Sequence, residues 1–280
     1  MIYSNKTFDE ERALYNIEDS IVTDCIFDGP ADGESALKEC SRITVENCDF
    51  RLRYPFWHVT DGHVKNCKMS DTCRAALWYD QNMIIEDSVL GGIKALRECH
   101  DITMKNCEMV SEEFGWRCSG LKIENCTLTS MYPFFECKEA EFDKLTLNGK
   151  YSFQYLENAH LRNCELRTKD AFWHCKNVTV EDSLVQGEYL AWYSENLKLV
   201  RCKIVGTQPL CYCKGLILED CEMVDADFAF ENSEVEATVN SHIISVKNPI
   251  SGFIKAESIG EIILDTKREP KTKCDIISLK

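Results

Sequence analysis

The chain has 280 residues, 44% of them hydrophobic, enough to bury a core in one large domain or two small ones. Its net charge is −15 with no long basic cluster to offset it, which argues against nucleic acid or an anionic membrane as partner. Seventeen cysteines, an odd number, fit reduced thiols better than a disulfide framework; the opening MIYSNKTFDEERALYN lacks both the basic and the apolar segment of a signal peptide, so a cytoplasmic setting is expected.

In chain order, the first predicted element is a short amphipathic helix within residues 7–15, in an N-terminal cap spanning residues 1–20. From residue 21 to residue 240 the chain repeats itself, mostly every nineteen residues. One column of the repeat holds Ser88, Cys107, Cys126, Leu145, Cys164, Ser183, Cys202, Cys221 and Asn240. A second, eight residues earlier, holds Cys99, Cys118, Cys137, Leu156, Cys175, Ser194, Cys213 and Asn232. Both read as inward positions, with the thiols serving as small hydrophobes. Upstream, the steps from Cys25 to Cys48 and from Cys67 to Ser88 are longer, which reads as loop insertion.

A period this short marks a stacked repeat and is too short for helical hairpins. Within each repeat, apolar residues alternate, as at Val178 and Val180 or Leu197 and Leu199, which is a strand signal. Three short strands per coil are expected: an aromatic first strand, a VTV-type second strand, and a third after a two-residue turn. The second turn position reads Asn47, Asn66, Asp87, Asn106, Asn125, Lys144, Asn163, Asp182, Arg201 and Asp220. Asn and Asp best tolerate the left-handed conformation, so a stacked ladder at a tight turn is expected. The fold class is therefore all-β, a single-stranded parallel β-helix of about 11–12 coils in one domain, roughly 50 Å long at strand spacing. Residues 241–280 lose the pattern and are expected to be irregular, ending in the charged stretch TKREPKTK (266–273) over the far end.

The aromatic strand carries the candidate site. If the second cysteine column points inward, strict alternation also turns Trp57, Trp78, Trp116, Phe135, Trp173, Trp192 and Phe230 inward. His58, Tyr79, Glu98, Arg117, Glu136, Tyr155, His174, Tyr193, Tyr212 and Glu231 then point out. So do the column of Phe56, Phe134, Phe153 and Phe172 and, beyond it, Tyr54, Tyr132, Tyr151, Asp170 and Tyr189. Such a face of aromatics with interspersed charge marks an interaction surface. The competing reading is that the strand bulges and the Phe column belongs to the core.

GESALKECSRI (33–43), RYPFWH (53–58), RAALWYD (74–80), KYSFQ (150–154), TKDAFWHCKNVTVEDS (168–183), GEYLAWYS (187–194) and GTQPLCY (206–212) resemble the bacterial family called domain of unknown function 3737. The similarity runs from about Phe8 to Ile254. It implies a right-handed β-helix of the pectin-lyase-like kind and no established activity. In that wider group substrate lies across the outer face of the first strand, the aromatic face here.

For catalysis, Glu113 and Glu136 on adjacent coils near Arg117 form the best acid/base group available, with Arg117 as charge stabiliser. Cys211-Tyr-Cys213 is not a metal or redox spacing, and no metal or cofactor is expected. The leading expectation is a non-catalytic carbohydrate-binding module. Its ligand-facing residues would be Tyr54, His58, Tyr79, Arg117, Tyr132, Phe134, Tyr151, Phe153, Tyr155, His174, Tyr189, Tyr193 and Tyr212. The alternatives are a scaffold using the same face as a protein interface, and a glycan-cleaving lyase or hydrolase; oligomeric state is left open.

Overall fold

The computed structural model describes residues 1–30, 33–265 and 272–280. The chain divides into two compact units, Met1–Thr146 and Leu147–Lys280. Each is a right-handed parallel β-helix.

In the first unit, one strand of every coil pairs in parallel register with the next. Tyr3, Val22, Val45, Val64, Ile85, Met104, Ile123 and Phe142 stand in one column, eight rungs among the described residues. From Val22 onward they are all buried. A second ladder, across the two-residue turn, aligns Phe8, Phe27, Phe50, Met69, Leu90, Met109 and Leu128. Phe27 and Phe50 stack at 4.5 Å between centroids. Each coil alone would leave this inner face wet, and stacking is what buries it.

The second unit repeats the arrangement through Leu161, Val180, Leu199, Leu218, Ala237, Ile254 and Ile276. Its last strands lengthen to 14 residues at Glu234–Lys247 and 13 at Ser251–Ile263.

Both ends differ from expectation. The N-terminal segment is not a helical cap: Ile2–Ser4 and Thr7–Phe8 are already ladder strands, because their apolar residues fall in register with the next coil. Nor is the C-terminal part irregular, since alternation persists through its long strands and through Lys273–Ser278 although the nineteen-residue period is lost. The coils therefore outnumber the eleven or twelve expected. The wrapping assigned to residues 266–273 falls mostly outside the described residues.

The turn ladder is as read: all ten positions from Asn47 to Asp220 have φ between 48° and 55°. Their side chains link the coils, Asn66 donating to Asn47 at 2.7 Å, Asn106 to Asp87 at 3.0 Å and Asn125 to Asn106 at 2.8 Å. A second left-handed column at the start of the long strands was not foreseen: Asn82, Asp101, Gly120, Asn158, Asn177, Asn196 and Gly215. Its signal was present, as Asn, Asp and Gly recurring at the same spacing.

Sixteen cysteines are buried, Cys274 is half-exposed, and all are free. They do more than fill space. Cys67 Sγ accepts the Cys48 N–H at 3.4 Å and Cys126 Sγ the Cys107 N–H at 3.3 Å, each from the preceding coil. Where serine takes the column, Ser88 Oγ accepts the Cys67 N–H at 3.0 Å and Ser183 Oγ the Cys164 N–H at 2.9 Å. Thiol and hydroxyl alternate because both satisfy a corner amide that water cannot reach. Burial pushes the Cys40 thiol up to about 11 and Cys73 to about 12.

Candidate functional site

The aromatic segment is not an extended strand throughout. In the second unit it is a run of turns, with Asp170, Phe172 and His174 at φ of 55°, 59° and 55°, and the same alternation at Tyr189, Ala191 and Tyr193. In the first unit it reaches only the short strands Phe56–Trp57, Leu77–Trp78, Leu96–Arg97 and Phe114–Trp116. Side-chain alternation requires extended backbone, and left-handed residues break it.

Two expected columns consequently change places. Phe56, Leu77, Leu96, Phe114, Phe134, Phe153, Phe172, Ala191 and Leu210 are buried and form the core lining. Phe134 and Phe153 therefore cannot face a ligand. Trp57, Trp78, Trp116, Phe135, Trp173 and Trp192 turn outward and are half-buried; Phe230 stays inside. His58, Tyr79, Arg117, Tyr155, His174 and Tyr193 stand exposed beside the indole column. Tyr132 is exposed, Tyr54, Tyr151, Tyr189 and Tyr212 are half-buried, and Asp170 is buried, which raises its carboxyl pKa.

In the second unit the outer residues form one continuous ladder and, beside it, an indole pair. Tyr155, His174, Tyr193 and Tyr212 stack at 5.0, 5.1 and 4.8 Å, within 13° of parallel. Beside them Trp173 and Trp192 stack at 5.4 Å and 4°. The indole N–H of Trp173 donates to the Tyr189 carbonyl at 2.6 Å, and that of Trp192 to the Gln208 carbonyl at 2.9 Å. Rings stacked along the coil axis spend their faces on one another. What they offer outward is ring edge and hydroxyl, so the interior rungs have no free face on which a sugar could stack.

The first unit begins the same pattern and breaks it. Trp57 and Trp78 stack at 5.2 Å and 12°, and His58 and Tyr79 at 5.0 Å and 9°. In register after Trp57 and Trp78 comes Arg97, then Trp116. Arg97 lies 5.8 Å from the Trp116 ring centroid, so no ring of the following coil covers Trp78. The register shifts here, and Gly115 is the extra residue; at φ 72°, a Cβ would sit 2.8 Å from the Phe134 ring.

A cleft of about 490 Å³ opens at this break, walled by Tyr54 and Trp78 and carrying Arg74, Lys94, Arg97 and Glu113. Tyr54 crosses the indoles of Trp57 and Trp78 at 65° and 53° instead of joining the stack. The coil from Cys67 to Ser88 exceeds nineteen residues by two, and a 3-10 turn at Asp71–Cys73 takes up the excess, delivering Arg74 to the rim. Gly92, at φ 110°, packs directly on the Arg74 backbone, where a Cβ would lie 2.6 Å from its carbonyl oxygen. Lys94 N–H donates to that carbonyl at 2.8 Å, which fixes Lys94 beside Arg74.

The candidate acid/base trio is divided. Arg117 Nε contacts Glu136 Oε2 at 2.7 Å, an exposed pair in which the carboxylate raises the guanidinium pKa. Glu113 belongs to the cleft, its Oε2 3.5 Å from Lys94 Nζ and 3.6 Å from Arg97 Nη1. Arg97 Nε lies 3.4 Å from Glu98, yet Arg97 Nε and Nη1 and Glu113 Oε2 make no hydrogen bond. Burial would raise the Glu98 pKa, but hydrogen bonds from Tyr79 and Trp78 and the Arg97 charge hold it below the ordinary value. Among the described residues no three His, Cys, Asp or Glu side chains gather as a metal site.

Sequence reasoning missed Arg74, Lys94, Arg97 and the outward Trp78. One signal was available: an arginine, Arg97, standing between Trp78 and Trp116 in a mainly aromatic column. Arg74 had none, because an insertion places it.

The chain belongs to the family described as protein of unknown function (DUF3737), which it matches over residues 1–277. No curated protein matches it. Among solved structures it is similar to the A-module of the Azotobacter vinelandii mannuronan C-5 epimerase AlgE6, at 12% identity and TM-score 0.39 over 84% of this chain and 80% of that one. It is also similar to PfbA, a surface adhesin of Streptococcus pneumoniae, at 10% identity and TM-score 0.38 over 85% and 76%. The catalytic domain of a GH87 alpha-1,3-glucanase gives 9% identity and TM-score 0.27 over 100% and 64%. At these scores the neighbours bear on neither activity nor ligand.

Proposed function

We propose that the chain is a non-catalytic carbohydrate-binding β-helix whose ligand docks where the indole ladder breaks. One observation carries the reading: Trp78 and Tyr54, with Ala75 and Ile93, give a cleft an apolar wall, and its polar side chains are three hydrogen-bonding cations and one carboxylate. A sugar needs an apolar ring face and polar groups at its rim, on a scaffold that holds both rigidly. In contrast to the stacked rungs, Trp78 has no ring of the following coil over it. Binding is favoured over cleavage because Glu113 and Glu136 are each committed to cations, whereas glycan hydrolysis needs a protonated acid and a second carboxylate across one bond.

Calorimetric titration with a panel of neutral and acidic oligosaccharides tests this. At least one should bind, and Trp78→Ala should weaken it by about tenfold or more, roughly 1.4 kcal/mol. Tyr193→Ala should leave the affinity unchanged. If no carbohydrate binds, or if the two substitutions act alike, the reading fails.

A second reading has its own support in the Tyr edges of the second unit, where Tyr155 and Tyr193 are 44% and 45% exposed. Tyrosine edges with hydroxyls suit a protein contact. Light scattering on wild type and a Tyr155→Ala, Tyr193→Ala double variant checks it: an oligomer that becomes a folded monomer would favour the interface.

A further inference from the structure

The cleft beside Trp78 concentrates positive charge in a chain of net charge −15. Its lining sets Arg74, Lys94 and Arg97 against Glu113 alone, a surplus of two cations. Glu98 touches Arg97 from outside the lining and reduces that surplus to one. Elsewhere lysines and arginines are mostly spent on carboxylates of neighbouring coils, as in Lys105–Glu124, Lys176–Glu195, Arg201–Asp182 and Lys203–Glu222. Arg74 is exposed, and among the described residues its guanidinium has no hydrogen bond or ion pair. Arg97 is mostly buried, 18% exposed in its side chain, with Nε and Nη1 left without a hydrogen bond. Those two nitrogens face Glu98 and Glu113 at ion-pair distance, so an incoming oxyanion would meet the unpaired Arg74 head first, with Lys94 and the Arg97 charge beside it.

We propose that this cleft takes the phosphoryl group of a phosphorylated sugar, held by Arg74, Lys94 and Arg97 while Trp78 and Tyr54 contact the sugar ring. The proposal rests on the carbohydrate reading above and names the chemistry of its ligand. Three cationic heads arrive from separate points of the chain, Arg74 from the 3-10 turn and Lys94 and Arg97 from the next coil. A carboxylate has two oxygens, which one guanidinium can satisfy in bidentate fashion. A phosphomonoester has three terminal oxygens and more than one negative charge near neutral pH, which matches three separate donors. The acidity of the remaining surface would disfavour anions bound anywhere else.

The test uses the full chain and four probes: inorganic phosphate, glucose, glucuronate and glucose 6-phosphate, titrated calorimetrically at low salt. Glucose 6-phosphate should bind at least about tenfold tighter than glucose or glucuronate, and tighter than inorganic phosphate. Arg74→Gln should remove most of that advantage without lowering the unfolding midpoint, since the fold uses the Arg74 backbone and not its side chain. Lys94→Gln should do the same by a second route.

Glucuronate binding as tightly as glucose 6-phosphate would overturn the phosphoryl assignment. So would neutral oligosaccharides binding with no response to Arg74→Gln; in that case the carbohydrate reading stands and only this inference falls. Inorganic phosphate binding as tightly as the phosphosugar would leave an anion site and remove the sugar. Absence of binding by all four probes would likewise overturn the inference; the oligosaccharide panel then decides separately whether the carbohydrate reading survives.

Discussion

The second unit carries an unbroken four-ring ladder, Tyr155–His174–Tyr193–Tyr212, beside the Trp173–Trp192 pair, while the first starts the same columns and interrupts them at Arg97 and Glu98. Where repetition is perfect, each aromatic face is used by its neighbour and each indole N–H by a carbonyl. The repeat satisfies itself and offers a ligand only edges. Where repetition fails, by an arginine in a mainly aromatic column, an insertion at Asp71–Cys73 and a bulge at Gly115, the unsatisfied groups gather into a cleft. In a stacked repeat, a site is to be sought at the departures from the period.

The comparison breaks most severely if the inner and outer columns have been confused. Phe172→Ala should cost about 3–5 kcal/mol, the range for truncating a buried phenylalanine. Tyr193→Ala, one coil on, should cost only about 0.5–1.5 kcal/mol, the value of an aromatic pair. Urea unfolding of both variants measures the difference, and equal losses would mean that the Phe column is not core.

A second difference lies inside. Asp80 occupies the inward column that holds Cys175, Ser194 and Cys213 in the second unit. Its Oδ1 accepts the Val59 N–H at 2.8 Å, but its fully buried Oδ2 has no partner. Burial raises its pKa well above the ordinary carboxylate range, so the folded chain keeps a proton that the unfolded chain releases. Stability should therefore decline as pH rises from the ordinary carboxylate range toward the raised folded value. Asp80→Ser keeps an acceptor for Val59 and removes the acid. The variant should be more stable than wild type near pH 8, where the folded acid must hold its proton against solution, and that advantage should shrink toward pH 4. Thermal melts across that range decide it, and a gain independent of pH would contradict the account.

Repairing the break sharpens the comparison. Arg97→Trp should extend the ladder, adding about 0.5–1.5 kcal/mol, while closing the cleft to any ligand. A more stable protein that still bound carbohydrate would show that the cleft is not the site. The smallest effect belongs to the exposed Glu136–Arg117 pair: Glu136→Gln should change neither the unfolding midpoint nor binding measurably.

Much of the fold was legible because it depends on local chemistry. The positions from Asn47 to Asp220 announced left-handed turns through their own conformational tolerance, and Val178 and Val180 or Leu197 and Leu199 announced an extended, half-buried strand. The cysteine columns were correctly placed inside except at their last positions, where the register shifts and Asn232 and Asn240 are not buried; their task as acceptors for corner amides emerged only with Cys48 and Cys107 donating to the next coil. The candidate site was legible only in outline. Tyr79, His174 and Tyr193 were rightly placed outside, but Phe134 and Phe153 were wrongly placed beside them.

By itself the sequence determined a stacked parallel β-helix, its period, its turn ladder and the existence of an aromatic column. These follow from spacing and from the torsional preference of single residues. Only the tertiary structure decided which way the aromatic column faces, because Phe172 and His174 take left-handed torsions that nothing in their own chemistry favours. They adopt them because the adjoining coils bury Phe172 and stack His174 between Tyr155 and Tyr193. The same holds for the cleft: Arg74, Lys94 and Arg97 meet through an insertion, a glycine contact and a bulge, and proximity of that kind is a property of packed coils.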